Sequence, residues 1–278
     1  MAGLSREYIE RAVPLGSSSY YIIRFSPAPY RSDLTHLFAW RRELTNIPLE
    51  CSDPSVAQAR LQWWREEMKR SVNGGTQHPV AIALSETIKT HKLPELLFQE
   101  IADIIESDIE KASMAEWEDL HLYCLSHGGS FAELLSHTTG CNETFNPTIR
   151  QIGAYVTLIS LLRNLGADLR RGHCLLPDSL LRQHRLIPAQ LLQPKSRGRS
   201  REMLRTLSET ATQWRTEALQ SLPTQPPAGL RPVLNQLALA HRLHTVLEAD
   251  GFNVVDGRTH LTPLQKLWTA WRVGKGDR

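Results

Sequence analysis

Apolar side chains recur every three or four residues along most of the chain, the repeat of helices that bury one face, while two-residue alternation is scarce. Pro and Gly clusters cut this pattern into segments. The spacing predicts helices over residues 31–46, 54–71, 79–90, 94–112, 117–137, 146–169, 201–220, 230–250 and 262–273. Pro48 is expected to end the first of these, and Ser52-Asp53 to cap the second with Pro54 in its first turn. Residues 188–200, with Lys195, Arg197 and Arg199, read as a basic loop. Helices without strands imply an all-α bundle. No linker is long enough to divide the chain, so residues 1–278 are expected to form one domain, with Pro223–Pro227 a helix connection.

Composition narrows the function classes. With 41% hydrophobic and 22% charged residues, the chain can bury a sizeable core beneath an ordinary charged surface. Its 32 basic and 29 acidic residues are interspersed, which argues against a nucleic-acid partner. Cys51, Cys124, Cys141 and Cys174 lack the spacing of a zinc site or a secreted disulfide framework and are expected to be reduced thiols. Met1–Pro14 carries charges and no apolar core, so it does not read as a signal peptide. No apolar run reaches the roughly 18–20 residues of a spanning helix. The expected place is the cytoplasm, with peripheral contact to the inner membrane face allowed. His241 and His244 read as partly exposed polar residues without a third metal ligand, and His127 as a packed core histidine.

The segment most suggestive of chemistry is Arg163–Pro177. Asn164 and Asp168 stand four apart, on one helix face about a turn from each other. An oxygen-bearing pair at that spacing can hold Mg²⁺ against a diphosphate, with Arg163, Arg170 and Arg171 adding phosphate contacts.

This segment resembles a motif of the squalene/phytoene synthases, Asn-x-x-Arg-Asp-x-x-x-Asp followed by Gly-Arg-x-Tyr-Leu-Pro. Arg163, Asp168, Arg171, Gly172, Leu176 and Pro177 match, whereas Ser160, Asn164, His173 and Leu175 depart. Ser18–Tyr21, Pro29-Tyr-Arg31 and Leu37–Trp40 resemble the family's opening motifs. Arg60–Glu67 resembles its following helix, and Asp119–Leu135 its small-residue central helix. The resemblance covers residues 17–187 best and the helices over 201–278 more loosely. Leu61-Gln-Trp-Trp-Arg65, His78–Ala81 and Leu261–Arg272 resemble a branch that includes assembly factors of respiratory complex I.

The resemblance implies an isoprenoid-synthase bundle with a central cavity. There Arg31, Arg163 and Arg171 would contact a diphosphate, and Tyr20, Phe38 and Trp40 would line the apolar part. A working synthase sets two Asp-rich helices face to face around three Mg²⁺ ions. Here the first helix keeps at most Glu43, with Ile47 four residues on, and the second keeps Asp168 and Asn164. The resemblance therefore implies a binder of an isoprenyl diphosphate or another isoprenoid lipid, or an assembly-factor-like protein with a protein partner, with little or no synthase activity. The alternative is a Mg²⁺-dependent prenyltransferase that joins two farnesyl or geranylgeranyl diphosphates head to head through Asp168, Asn164 and Glu43.

Overall fold

The computed structural model describes residues 4–73, 75–255 and 257–275. Among them the chain forms α1 (Arg6–Ala12), α2 (Ser18–Arg24), α3 (Arg31–Glu50), α4 (Pro54–Asn73), α5 (Pro79–His91), α6 (Glu95–Glu110) and α7 (Trp117–Cys124). It continues with α8 (Ser130–Thr138), α9 (Asn146–Arg170), α10 (Asp178–Gln183), α11 (Pro188–Leu191), α12 (Arg197–Gln220), α13 (Arg231–Ala249) and α14 (Pro263–Lys275). No strand occurs among the described residues, so the chain is all-α. One hydrophobic cluster runs from Ala12 to Leu261.

The apolar periodicity sets which faces meet. On α9, Ile152, Tyr155, Ile159, Leu162 and Leu165 are buried, and α9 packs against α7, α8, α12 and α13 at the centre of the bundle. α3 lies across α1, α4, α5, α6 and α8. α14 packs on α13 and α2.

α7 and α8 are joined through a π-turn, Leu125–Gly129, so residues 117–138 run as one interrupted helix. A π-turn inserts a residue into the i→i−4 ladder and rotates the next turns about the helix axis. Its position is fixed by contact with α9. A Cβ at Gly128 would stand 2.0 Å from Thr157 Oγ1 and 2.3 Å from the Gly153 carbonyl oxygen, and one at Gly153 would stand 2.2 Å from the Gly128 carbonyl oxygen. Only glycines allow two helices to meet this closely.

Two sequence expectations are corrected, and three short helices were not anticipated. α3 runs through Pro48 to Glu50, and the Cys51 N–H still donates to the Ile47 carbonyl at 3.1 Å. Proline costs the helix one hydrogen bond, and the buried Leu44 and Ile47 on either side keep it packed. The expected basic loop over 188–200 contains α11 and the first turn of α12. The short helices α1, α2 and α10 fell below the length at which periodicity is visible.

Two separated motifs of the sequence meet in the fold. Glu67 on α4 accepts from the backbone N–H groups of Gln77 and His78 at 2.7 and 2.8 Å, and Trp64 packs edge-on against His78 at 4.7 Å. The Trp-Trp-Arg and His-Pro stretches thus form one structural joint at the start of α5. No helix among the described residues is long and apolar enough to cross a membrane.

Candidate functional site

Asp168 sits in the last turns of α9 with a side chain 14% exposed, bonded to Arg171 on the same helix. Burial raises its pKa above the usual carboxylate range, against the opposing pull of Arg171, Arg258 and Arg163. Asn164, one turn earlier, accepts from Arg163 Nε at 3.3 Å. The structure therefore gathers Asp168, Asn164, Arg163 and Arg171 at one place.

A second carboxyl faces them from α6. Asp108 accepts from the Tyr123 hydroxyl at 3.0 and 3.2 Å, and Asp168 is close enough for its charge to act on both groups. Burial, reinforced by Asp168 and resisted by the Tyr123 hydrogen bond, pushes the Asp108 carboxyl up to about 7. His127, turned inward by the π-turn, stacks on Tyr123 at 5.7 Å and accepts from Arg41 at 3.0 Å. Burial and the Arg41 charge hold His127 down to about 3, so it is a neutral acceptor at physiological pH. Arg41 also lies over the Phe131 ring at 4.1 Å. Arg41 and His127, joined by a hydrogen bond, thus adjoin Tyr123 and Asp108, joined by another, through the stacked rings of His127 and Tyr123, and Asp168 lies near enough for its charge to reach Asp108. Burial lowers Arg41 to about 10, so it stays cationic.

The other residues singled out in the sequence divide by helix face. On α3, Phe38 packs on Phe131 at 5.1 Å, and Phe38, Arg41 and Thr45 follow the helical repeat toward α8 and the π-turn. Glu43 points elsewhere, 3.8 Å from Arg11 and 3.5 Å from Arg60, on the face turned to α1 and α4. Trp40 is buried against Phe98 at 4.9 Å and lines a pocket of about 530 Å³ with Trp64 and Met68 between α3, α4, α5 and α6. Arg31, whose Nε donates to the Ser26 carbonyl at 3.0 Å, lines another pocket with Arg24, Arg231 and Lys275. Tyr20 is half-buried on α2, edge-on to Tyr21. A third pocket, about 490 Å³, lies between α12, α13 and α14 and is lined by Arg215, His241 and Trp268. None of these three is lined by Asp168. His244 departs from its expected exposure: it is 3% exposed and bonded to Ser208 at 2.7 Å and Tyr155 at 3.3 Å.

Arg41, Asp108 and Tyr123 escaped the sequence reading. Arg41 and Glu43 are only two apart, about 200° around a helix, so residue type alone could not say which faced the site.

A magnesium cluster fits this donor set poorly. Asp168 is held by Arg171, Asn164 by Arg163, and Asp108 by Tyr123. The α3 side chains that reach the π-turn and α8 are Arg41 and Phe38, neither of them a carboxylate. Among the described residues, no group of three or more His, Cys, Asp or Glu side chains is placed to hold a metal.

The fold is of the all-α isoprenoid-synthase type. It superposes on squalene synthase HpnC from Alicyclobacillus acidocaldarius with a TM-score of 0.76 at 20% identity, covering 89% of this chain and 94% of that one. It superposes on a ligand-bound dehydrosqualene synthase with a TM-score of 0.80 at 17% identity, covering 97% of each chain. Residues 14–265 match the squalene/phytoene synthase profile, and the chain belongs to that family. Phytoene synthase from Arthrospira platensis is 23% identical over 269 residues, 90% of this chain and 86% of the relative. Chloroplastic phytoene synthase of an Oncidium hybrid is 21% identical over 83% of this chain, which spans 58% of the Oncidium protein's length.

Proposed function

We propose that this chain uses the squalene/phytoene synthase fold to bind an isoprenoid, such as a prenyl diphosphate, with little or no head-to-head condensing activity. The observation that carries this is on α3, where Phe38 and Arg41, rather than carboxylates, face α8 and the π-turn. Ionising a prenyl diphosphate requires its leaving charge to be neutralised, in the family by metal held between two acidic helices. Carboxyls already engaged by Arg171 and Tyr123, with an arginine on the facing helix, support binding better than turnover.

The deciding experiment measures pyrophosphate release from farnesyl and geranylgeranyl diphosphate with and without Mg²⁺, beside Asp168→Ala. The expected result is no Mg²⁺-dependent release from folded protein. Release that needs Mg²⁺ and disappears in the variant would establish the alternative, an active prenyltransferase. The proximity of Asp108 to Asp168 favours that alternative, since two carboxyls from different helices meet there.

A protein-partner role draws support from α14, where Leu264, Leu267, Trp268 and Trp271 are 74%, 41%, 58% and 41% exposed. Exposed tryptophans and leucines on one helix suit a partner surface.

A further inference from the structure

α12 and α13 both pack on α9. A hydrogen bond of 2.7 Å between Ser208 and His244 joins them at one end, and the connection over 221–230 joins them at the other, so they run antiparallel. α14, packed on α13, forms a third wall. Its approach is set by the strap between α13 and α14. A Cβ at Gly166 of α9 would stand 2.3 Å from the Val254 carbonyl oxygen, and Arg170 donates to the Val255 carbonyl. The three helices enclose a cleft of about 490 Å³. Small-molecule sites commonly measure about 300–1,000 Å³.

The lining changes character along the cleft. Arg215, His241, Arg242 and Thr245 lie toward the Ser208–His244 end, and Leu219, Leu234, Pro226 and Pro227 lie toward the connection. Trp268 comes from α14, Arg231 and Arg272 add positive charge, and the lining contains no Asp or Glu. Among the described residues, Arg215, Arg231 and Arg242 form no ion pair. Glu248, the acidic group nearest along α13, accepts from Ser208 at 2.7 Å and does not line the cleft. The Arg215 Nε–H is buried and has no acceptor among the described residues. A buried donor left unpaired costs stability, and an acceptor that enters the cleft recovers that cost.

We propose that this cleft is a second ligand site, apart from the end of α9, and that it takes a single-chain lipid with an acidic head. The head, a carboxylate or a phosphate, accepts from Arg215 and Arg242, and the chain lies along Leu219, Leu234 and Trp268. Arginine forks suit either head, since both present paired oxygens. A small inorganic anion would leave the apolar stretch wet, whereas an attached chain covers it. Neither Asp168 nor Asn164 lines the cleft, so the site stands or falls separately from the isoprenoid reading.

Calorimetric titration of the full chain with oleate, oleoyl lysophosphatidate, oleyl alcohol and inorganic phosphate tests this, beside Arg215→Gln, Arg242→Gln and Asp168→Ala. At least one of the two acidic lipids should bind about tenfold or more tighter than the alcohol or phosphate. Its affinity should fall about tenfold in Arg215→Gln and about threefold in Arg242→Gln, and stay unchanged in Asp168→Ala. The tighter of the two lipids identifies the head as carboxylate or phosphate. Arg215→Gln removes a donor that has no acceptor, so without ligand it should melt no lower than the parent. Arg242 is exposed, so its variant stays folded and carries the test even if Arg215→Gln melts early. Acidic lipids that bind no tighter than the alcohol, or equally well to the parent and both arginine variants, overturn the site. So does a loss of binding in Asp168→Ala, or the failure of both acidic lipids to bind.

Discussion

Asp108 and His127 both adjoin Tyr123 yet respond to acid in opposite ways. Asp108 keeps its proton in the folded protein up to about pH 7, whereas the unfolded carboxyl loses it near 4. Its burial therefore favours the folded state below pH 4 and loses that advantage as pH rises through 7. His127 refuses the proton that the unfolded chain accepts below about 6.5, so it costs stability as pH falls toward 3. Asp108→Asn removes the first response while leaving an oxygen to accept from Tyr123. The variant should melt at about the parent temperature at pH 4 and several degrees above it at pH 8, read by thermal denaturation across that range. An unchanged difference between the two pH values would show that Asp108 is ionised like an ordinary carboxylate. Glu43 offers a contrasting test, because it faces Arg11 and Arg60 away from the site. Glu43→Gln should lower stability by about 1 kcal/mol and leave pyrophosphate affinity unchanged.

At the scale of elements, the crossing of the π-turn with α9 is the tightest constraint in the bundle. Gly128→Ala would put a methyl carbon into Thr157 and the Gly153 backbone, neither of which can swing away as a long side chain could. A loss of about 3 kcal/mol and a fall in Tm of about 5–10 °C are expected, measured by thermal unfolding. Most helices were legible in the sequence because their apolar repeat spans three turns or more. The π-turn was not, since its extra residue is selected by contact with α9, some 25 positions away in the chain. Pro48 misled for a related reason: local stereochemistry favours an end there, while the buried Leu44 and Ile47 hold the helix together. The segment Arg163–Arg171 was readable as a site because its residues lie on one helix. Asp108, Tyr123 and Arg41 were not, because three other helices deliver them.

The molecule as a whole has one buried cluster that joins the first helix to the segment before the last. Unfolding is expected to proceed as a single calorimetric transition whose van't Hoff and calorimetric enthalpies agree. Two resolved transitions would instead place a boundary near Pro223–Pro227. The same connectedness explains why the site draws on residues more than a hundred positions apart, from Arg41 on α3 to Asp168 on α9.

Gly166 makes the lie of the strap before α14 depend on a single missing carbon atom. Neither Arg258 nor His260 touches it, yet both ride on the strap that its bare backbone admits. Enlarging this residue alone would push the strap that carries Arg258 and His260 away from α9, with their own chemistry untouched. Position 166 is thus a hinge pin: a residue with no side chain decides how closely the strap before α14 can lie on α9.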